Sequence, residues 1–142
     1  MKSDDQLIKN LASAYLQIHR RLNRALTQQG ASLTRTKMLL FIRARQGAAR
    51  AADIAELFDL APRTVTEALD GMERDALIAR AADPDDRRVK RIAITAAGAR
   101  MLEATEPLRQ KVLSAQLTAL SDEEHAQLTC LLGRLVESLD EA

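Results

Sequence analysis

Hydrophobic positions along the chain fall mostly in steps of three and four. From about Asp4 to Gln29 the apolar residues are Leu7, Leu11, Ala14, Tyr15, Ile18, Leu22, Ala25 and Leu26, one stripe along a single long helix. Gly30 terminates it, because glycine takes the left-handed capping conformation without steric cost. A stripe this long, ahead of any partner segment, predicts packing against another chain. A second helix opens near Leu33-Thr34, with Thr34 as its expected cap, and carries Met38, Leu40, Phe41 and Ile42 to a break at Gly47. Two short helices follow. One covers Ala52 to Phe58. The other begins at Pro62, where a missing N–H costs nothing, and runs to about Leu77 with Val65, Leu69 and Met72 on one face.

The period then changes. Ile78, Arg80, Val89, Ile92 and Ile94 lie in short β-like runs on either side of Asp83-Pro84-Asp85-Asp86-Arg87-Arg88. The alternation in Ile92-Ala93-Ile94-Thr95 and the Asp-Pro turn signal predict a β-hairpin with an exposed tip. Two more helices complete the pattern. The first spans roughly Ala96 to Leu120 and contains Pro107, which is expected to bend or interrupt it. The second follows a capping box, Ser121-x-x-Glu124, and carries Leu128, Leu131, Leu132, Leu135, Val136 and Leu139, with Cys130 one position off the seam.

The predicted fold class is mainly α. Residues 34–100 form a winged helix-turn-helix core with a small β-hairpin wing. Long helices flank it, at the N-terminus in 1–33 and at the C-terminus in 101–142. Composition agrees: 25 alanines and 22 leucines among 142 residues favour helix, and five glycines with three prolines leave little for a fold built on tight turns. Aromatic residues make up only 2% and tryptophan is absent, which argues against aromatic ligand cages and base-stacking platforms. No apolar run approaches the ~20 residues of a membrane span. The opening Met1 to Asp5 also lacks the basic-then-apolar order of a secretory signal. A cytoplasmic protein with no membrane partner is therefore expected. One cysteine makes no intrachain disulfide, and His19 and His125 are too few and scattered for a metal set, so neither metal nor cofactor is expected.

Two short helices joined by a tight turn, then a basic hairpin, suit the geometry of duplex DNA. The major groove is ~12 Å wide and admits one helix, whose first residues reach base edges. Here that helix begins Pro62-Arg63-Thr64-Val65-Thr66-Glu67. Arg63 fits a guanine edge, Thr64 and Thr66 offer hydroxyl and methyl groups, and Val65 turns to the core. Glu67 faces either a cytosine amino group or solvent. At the hairpin tip Arg87 and Arg88 suit a minor groove, whose negative potential attracts guanidinium groups. Lys90 and Arg91 alternate along a strand, so at most one of them faces DNA, and Lys90 is taken as the candidate.

The run from Asp53 to Gly98 resembles the winged-helix core of the MarR family of bacterial transcription regulators. The resembling pieces are Ile54-Ala55-Glu56-Leu57, Leu60-Ala61-Pro62-Arg63-Thr64-Val65-Thr66, Leu69-x-x-Met72-Glu73-Arg74-x-x-Leu77-Ile78-x-Arg80, Asp83-Pro84-x-Asp86-Arg87-Arg88 and Ile94-Thr95-x-x-Gly98. The resemblance implies a homodimer whose terminal segments, 1–33 and 101–142, interlock as dimerisation helices, two winged domains reading a pseudo-palindrome, and a repressor that responds to a small molecule. It implies that Asp86 orients Arg88 for the minor groove, that Arg63, Thr64 and Thr66 touch bases or phosphates, and that Arg80 matches the family's arginine after the recognition helix. The family's effector pocket makes Tyr15 and His19 candidate pocket residues; the plainer placement is Tyr15 in a dimer core and His19 exposed. With so few aromatics, such a pocket would be lined mainly by Ala, Leu and Ile, which fits a small phenolic or apolar effector. Two positions depart from the family pattern: Ala76 stands where glycine is usual, and Glu67 where a basic residue is frequent. The reactive cysteine of peroxide-sensing members lies in the first helix, which has none here, so Cys130 is read as a packing residue.

The candidate DNA-binding residues are therefore Pro62, Arg63, Thr64, Thr66, Glu67, Arg80, Asp86, Arg87, Arg88 and Lys90. No nucleophile with an adjacent base, glycine-rich phosphate loop or paired-carboxylate spacing points to an enzyme. The alternative is a winged-helix protein-interaction module without specific DNA binding, against which the intact Arg63 and Arg88 argue. A formal net charge of +1 conceals polarity along the chain: residues 1–33 and 34–100 carry +3 each, and residues 101–142 carry −5.

Overall fold

The structure, a computed structural model, describes residues 2–142. In chain order its elements are α1 (Lys2–Gln28), α2 (Leu33–Ala44), α3 (Ala51–Leu57), α4 (Pro62–Arg74), β1 (Ile78–Ala82), β2 (Lys90–Ile94), α5 (Ala96–Gln116) and α6 (Asp122–Asp140). Among the described residues no helix is long and apolar enough to cross a membrane. Local chemistry sets most of the ends. Ser32, not Thr34, caps α2: its hydroxyl accepts the Arg35 N–H at 3.2 Å. Pro62 occupies the first turn of α4. The capping box of α6 is complete, with Ser121 and Glu124 each accepting the other's backbone N–H. Pro107 is carried inside α5 without ending it, and the nearby Arg109 guanidinium donates to the Leu102 carbonyl at 3.0 Å.

The chain divides into two compact units: Leu22–Arg109, and Met1–Arg21 together with Gln110–Ala142. In the first, Met38, Leu39, Ile42, Ile54, Val65, Leu69, Met72, Leu77, Ile78, Ile92 and Leu102 form one buried cluster. Each such aliphatic side chain contributes roughly 1.5–3 kcal/mol by leaving water. β1 and β2 pair antiparallel, with Ile78 opposite Ile94, Arg80 opposite Ile92 and Ala82 opposite Lys90. The Ile92 N–H also bonds the Ala49 carbonyl at 2.8 Å, which ties the hairpin to the segment entering α3. In the second unit, Leu7, Ile8, Leu11, Tyr15 and Leu16 of α1 and Leu128, Leu131, Leu135, Val136 and Leu139 of α6 are all exposed, as is Cys130. Cys130 is therefore not packed within this chain.

Helix α4 ends earlier than its apolar pattern suggests, at Arg74 rather than Leu77, because Ala76 swings into the left-handed region at φ 62°. The Leu77 N–H then returns to the Met72 carbonyl (2.9 Å) and the Ala76 N–H to the Glu73 carbonyl (3.0 Å). This is the paired closure that glycine usually makes possible at this position. The backbone around Leu77 is crowded. Thr95 donates its N–H to the Leu77 carbonyl (3.0 Å) and its hydroxyl to the Ala76 carbonyl (2.6 Å), while its Oγ1 accepts the Gly98 N–H (3.1 Å). A Cβ at Gly98 would run into the Leu77 carbonyl oxygen and lie 2.7 Å from Ile94 Cγ1, so the backbones meet there only because that position is glycine.

A left-handed alanine costs about 1–2 kcal/mol, partly offset on replacement by the greater freedom of glycine in the unfolded chain. Ala76→Gly is therefore expected to stabilise the protein by about 0.5–1 kcal/mol, read as a rise of a few degrees in Tm. A lower Tm would show that the turn is not strained.

Candidate nucleic-acid interface

The first turn of α4 presents the side chains expected at a reading end. Pro62, Arg63, Thr64, Thr66 and Glu67 are all exposed, whereas Val65 is fully buried and anchors the turn from beneath. Arg63 Nε lies 3.3 Å from Glu67 Oε1, an i,i+4 pair with side chains 90% and 68% exposed. Such a pair contributes only about 0.3–0.5 kcal/mol, so a better acceptor readily displaces Glu67 from Arg63. The Thr66 hydroxyl donates to the Pro62 carbonyl at 3.0 Å.

At the wing tip Asp86 Oδ1 accepts both the backbone N–H and the Nε–H of Arg88, at 3.0 and 3.3 Å. Arg88 is thereby oriented while its side chain remains 91% exposed. Arg87 beside it is exposed as well. Lys90 and Arg91 diverge as strand alternation requires. Lys90, with Arg88, lines a cleft of about 380 Å³ whose other walls include Thr66 and Leu69 of α4, Arg80 of β1 and Arg50. Arg91 turns instead to Asp83. Recognition helix and wing thus border one basic, apolar-floored cleft within a single unit.

Arg80 has surroundings that the sequence did not indicate. Its side chain is half-buried and its guanidinium donates to Asp70 at 2.6 Å and to Glu73 at 3.0 Å. The Glu73 and Asp70 carboxylates hold it protonated well above the usual arginine value, and Arg80 in turn lowers the pKa of Glu73. Arg80 therefore pins β1 onto α4 while lining the cleft. Arg35 is matched in the same way, by Asp75 at the end of α4 (2.6 Å), and Lys37 Nζ sits 5.2 Å from the centre of the Phe58 ring. Tyr15 and His19 stack along α1 with ring centres 5.6 Å apart; Tyr15 is exposed and His19 half-buried.

The residue that sequence reasoning missed is Asp83. Its carboxylate is fully buried and accepts from Arg50, Arg91 and two backbone amides. An aspartate opening a turn signals the local amide bonds, but Arg50 lies 33 positions away and carries no local sign of the pairing. The Arg91 bond first, then the Asp85 amide, depress the Asp83 pKa to about 2.

These features define a winged helix-turn-helix protein, the class of DNA-binding transcription regulators. Residues 32–90 match the family model described as MarR family. The HTH-type transcriptional repressor MdtR of Bacillus subtilis (strain 168) is 26% identical over 144 residues, covering 99% of this chain and 92% of that protein. Wild-type MarR from E. coli in its apo form shares the fold at a TM-score of 0.79 and 21% identity, over 91% of this chain and 95% of that one. S. aureus MepR in its DNA complex does so at 0.71 and 24%, over 94% and 96%. The matching segment runs from the cap of α2 to the start of β2, and so holds the helix-turn-helix and the wing.

A carboxylate whose pKa falls on folding contributes stability that is complete above its unfolded value and lost as pH drops through its folded value. Between about pH 4 and pH 2, unfolding free energy is therefore expected to fall more steeply in the wild type than in Asp83→Asn. Denaturant titrations across that range give the comparison; parallel profiles would contradict the assignment of Asp83.

Proposed function

We propose that the chain acts as a homodimeric, cytoplasmic repressor that binds a pseudo-palindromic operator and releases it when a small molecule binds. The observation carrying this reading is the shared cleft, which brings Thr66 of the reading helix beside Arg88 and Lys90 of the wing in one unit. On this reading Arg63, Thr64 and Thr66, launched by Pro62, contact bases in the major groove, and Glu67 tunes Arg63. Arg88, oriented by Asp86, enters the adjacent minor groove with Arg87 beside it. Lys90 adds positive potential toward the backbone, while Arg80, held by Asp70 and Glu73, keeps β1 against α4 beside the groove.

Residues 34–100 then form the reading core, with 1–33 and 101–142 as dimerisation segments whose core-side ends, 22–33 and 101–109, pack with that core. The exposed apolar side chains along α1 and α6 support this division, because monomers rarely leave contiguous apolar patches beyond a few hundred Å² uncovered. Two relatives in Bacillus subtilis are named as repressors, and the MepR relative was crystallised with DNA. The likeness to these named regulators supports activity by binding. Tyr15 and His19 are the candidate contacts for a phenolic or apolar effector, which acts by changing the angle between two winged units, since one face of DNA accepts one spacing.

Anisotropy titration on a duplex selected by the wild-type protein from a random-sequence pool tests the wing directly. Arg88→Ala is expected to weaken binding about tenfold and to reduce the salt slope by about one, with stability unchanged within ~0.5 kcal/mol. Unchanged affinity would remove the wing from the interface.

A further inference from the structure

The wing carries two polar assemblies with different surroundings. At the tip, Asp86 and Arg88 are bonded in solvent. At the root, the Asp83 carboxylate is buried and accepts four hydrogen bonds: from Arg50 Nη2 (2.9 Å), Arg91 Nε (2.9 Å), and the N–H groups of Asp85 (2.8 Å) and Asp86 (3.3 Å). Those donors come from three places: the residue that precedes α3, the strand β2, and the loop that leads to the tip. Beside them the Ile92 N–H holds the Ala49 carbonyl, and the Asp83 N–H closes the loop on the Val89 carbonyl at 2.9 Å.

A two-stranded ribbon by itself twists and flexes. Charge-assisted bonds from two guanidiniums to one buried carboxylate are short and directional, and they fix the ribbon against α3. Loss of the charge leaves both arginines without their acceptor while the apolar core beneath is untouched. Asp86, which orients Arg88, hangs from the Asp83 carboxylate through its own N–H, so tip geometry is inherited from the root.

We propose that Asp83 is a positioning residue for DNA binding: by gripping Arg50 and Arg91 it fixes the attitude of the hairpin tip, and so where Arg88 meets the groove. This rests on reading the wing as a DNA contact. Asp83→Asn is the informative change, because the side-chain carbonyl still accepts the two loop amides while the NH2 group accepts nothing from a guanidinium.

Three measurements on the full chain decide it. Trypsin digestion without DNA is expected to cut after Arg87 and Arg88 at least tenfold faster in Asp83→Asn, with the helical melting transition still cooperative at neutral pH. Anisotropy on the selected duplex is expected to show about tenfold weaker binding. In an Arg88→Ala background the same change is expected to alter affinity less than twofold, since a positioning residue has nothing left to position. Equal trypsin rates, unchanged affinity, or losses that multiply in the double variant would each overturn the proposal, the last by assigning Asp83 a purely structural role. Should Asp83→Asn fail to fold, Arg91→Leu removes one grip at a part-exposed site; a roughly threefold loss that disappears with Arg88→Ala supports the proposal and any other result defeats it. A wild-type protein that binds no duplex overturns the functional reading together with this one, whereas wild-type binding with an unaltered Asn variant overturns this one alone.

Discussion

The reading unit depends on the place where four pieces of backbone meet at Leu77. The end of α4, the start of β1, the end of β2 and the first turn of α5 are joined there by Thr95 and by the close approach of Gly98. Because Leu77 is itself buried in the core, this junction transmits the position of the recognition helix directly to the hairpin. The strained Ala76 belongs to the same arrangement. Its left-handed turn is what reverses the chain sharply enough for β1 to run back beside α4. A longer helix through Leu77 would relieve the strain and remove the wing from its place.

Electrostatics around the cleft are graded by burial. Arg63–Glu67 and Arg88–Asp86 are exposed pairs, weak enough in water to exchange partners. Arg80 with Asp70 and Glu73, and Asp83 with Arg50 and Arg91, are more enclosed and hold elements together. The acids among these arginines are therefore not simply a neutralising background. Asp86 aims one guanidinium and Asp83 collects two. The same logic explains how a chain of net charge +1 presents a basic cleft: its acidic surplus is concentrated after residue 100.

Much of this was legible in the sequence because it is local. Helical periodicity located all six helices among the described residues, Pro62 and the Ser121 box marked two helix starts, and the alternation around Ile92 gave the hairpin. The first misreadings are also local. Ser32 outcompetes Thr34 as a cap, since only a residue before the first helical one has its hydroxyl facing the free amides. Apolar spacing carried α4 through to Leu77 because spacing does not register a left-handed residue, and alanine gives no warning of one. Long-range pairings were invisible for a different reason. Asp83–Arg50 and Arg35–Asp75 join residues 33 and 40 positions apart, and no periodicity encodes them. Cys130, expected to pack because it lies one position off the α6 seam, is exposed: the seam of that helix is itself largely uncovered within the chain.

On the proposed reading, helix and wing act as one rigid head, and two heads set by a homodimer lie about one DNA turn apart, ~34 Å. Chemical footprinting on the selected duplex tests it most directly, with dimethyl sulfate probing guanines in the major groove and hydroxyl radicals probing the minor groove. The account predicts two major-groove patches ~10 base pairs apart, each flanked at a constant offset by a protected minor groove. In Arg88→Ala the flanking protection alone should disappear. A single patch, a variable offset, or uniform loss of both protections in the variant would contradict it.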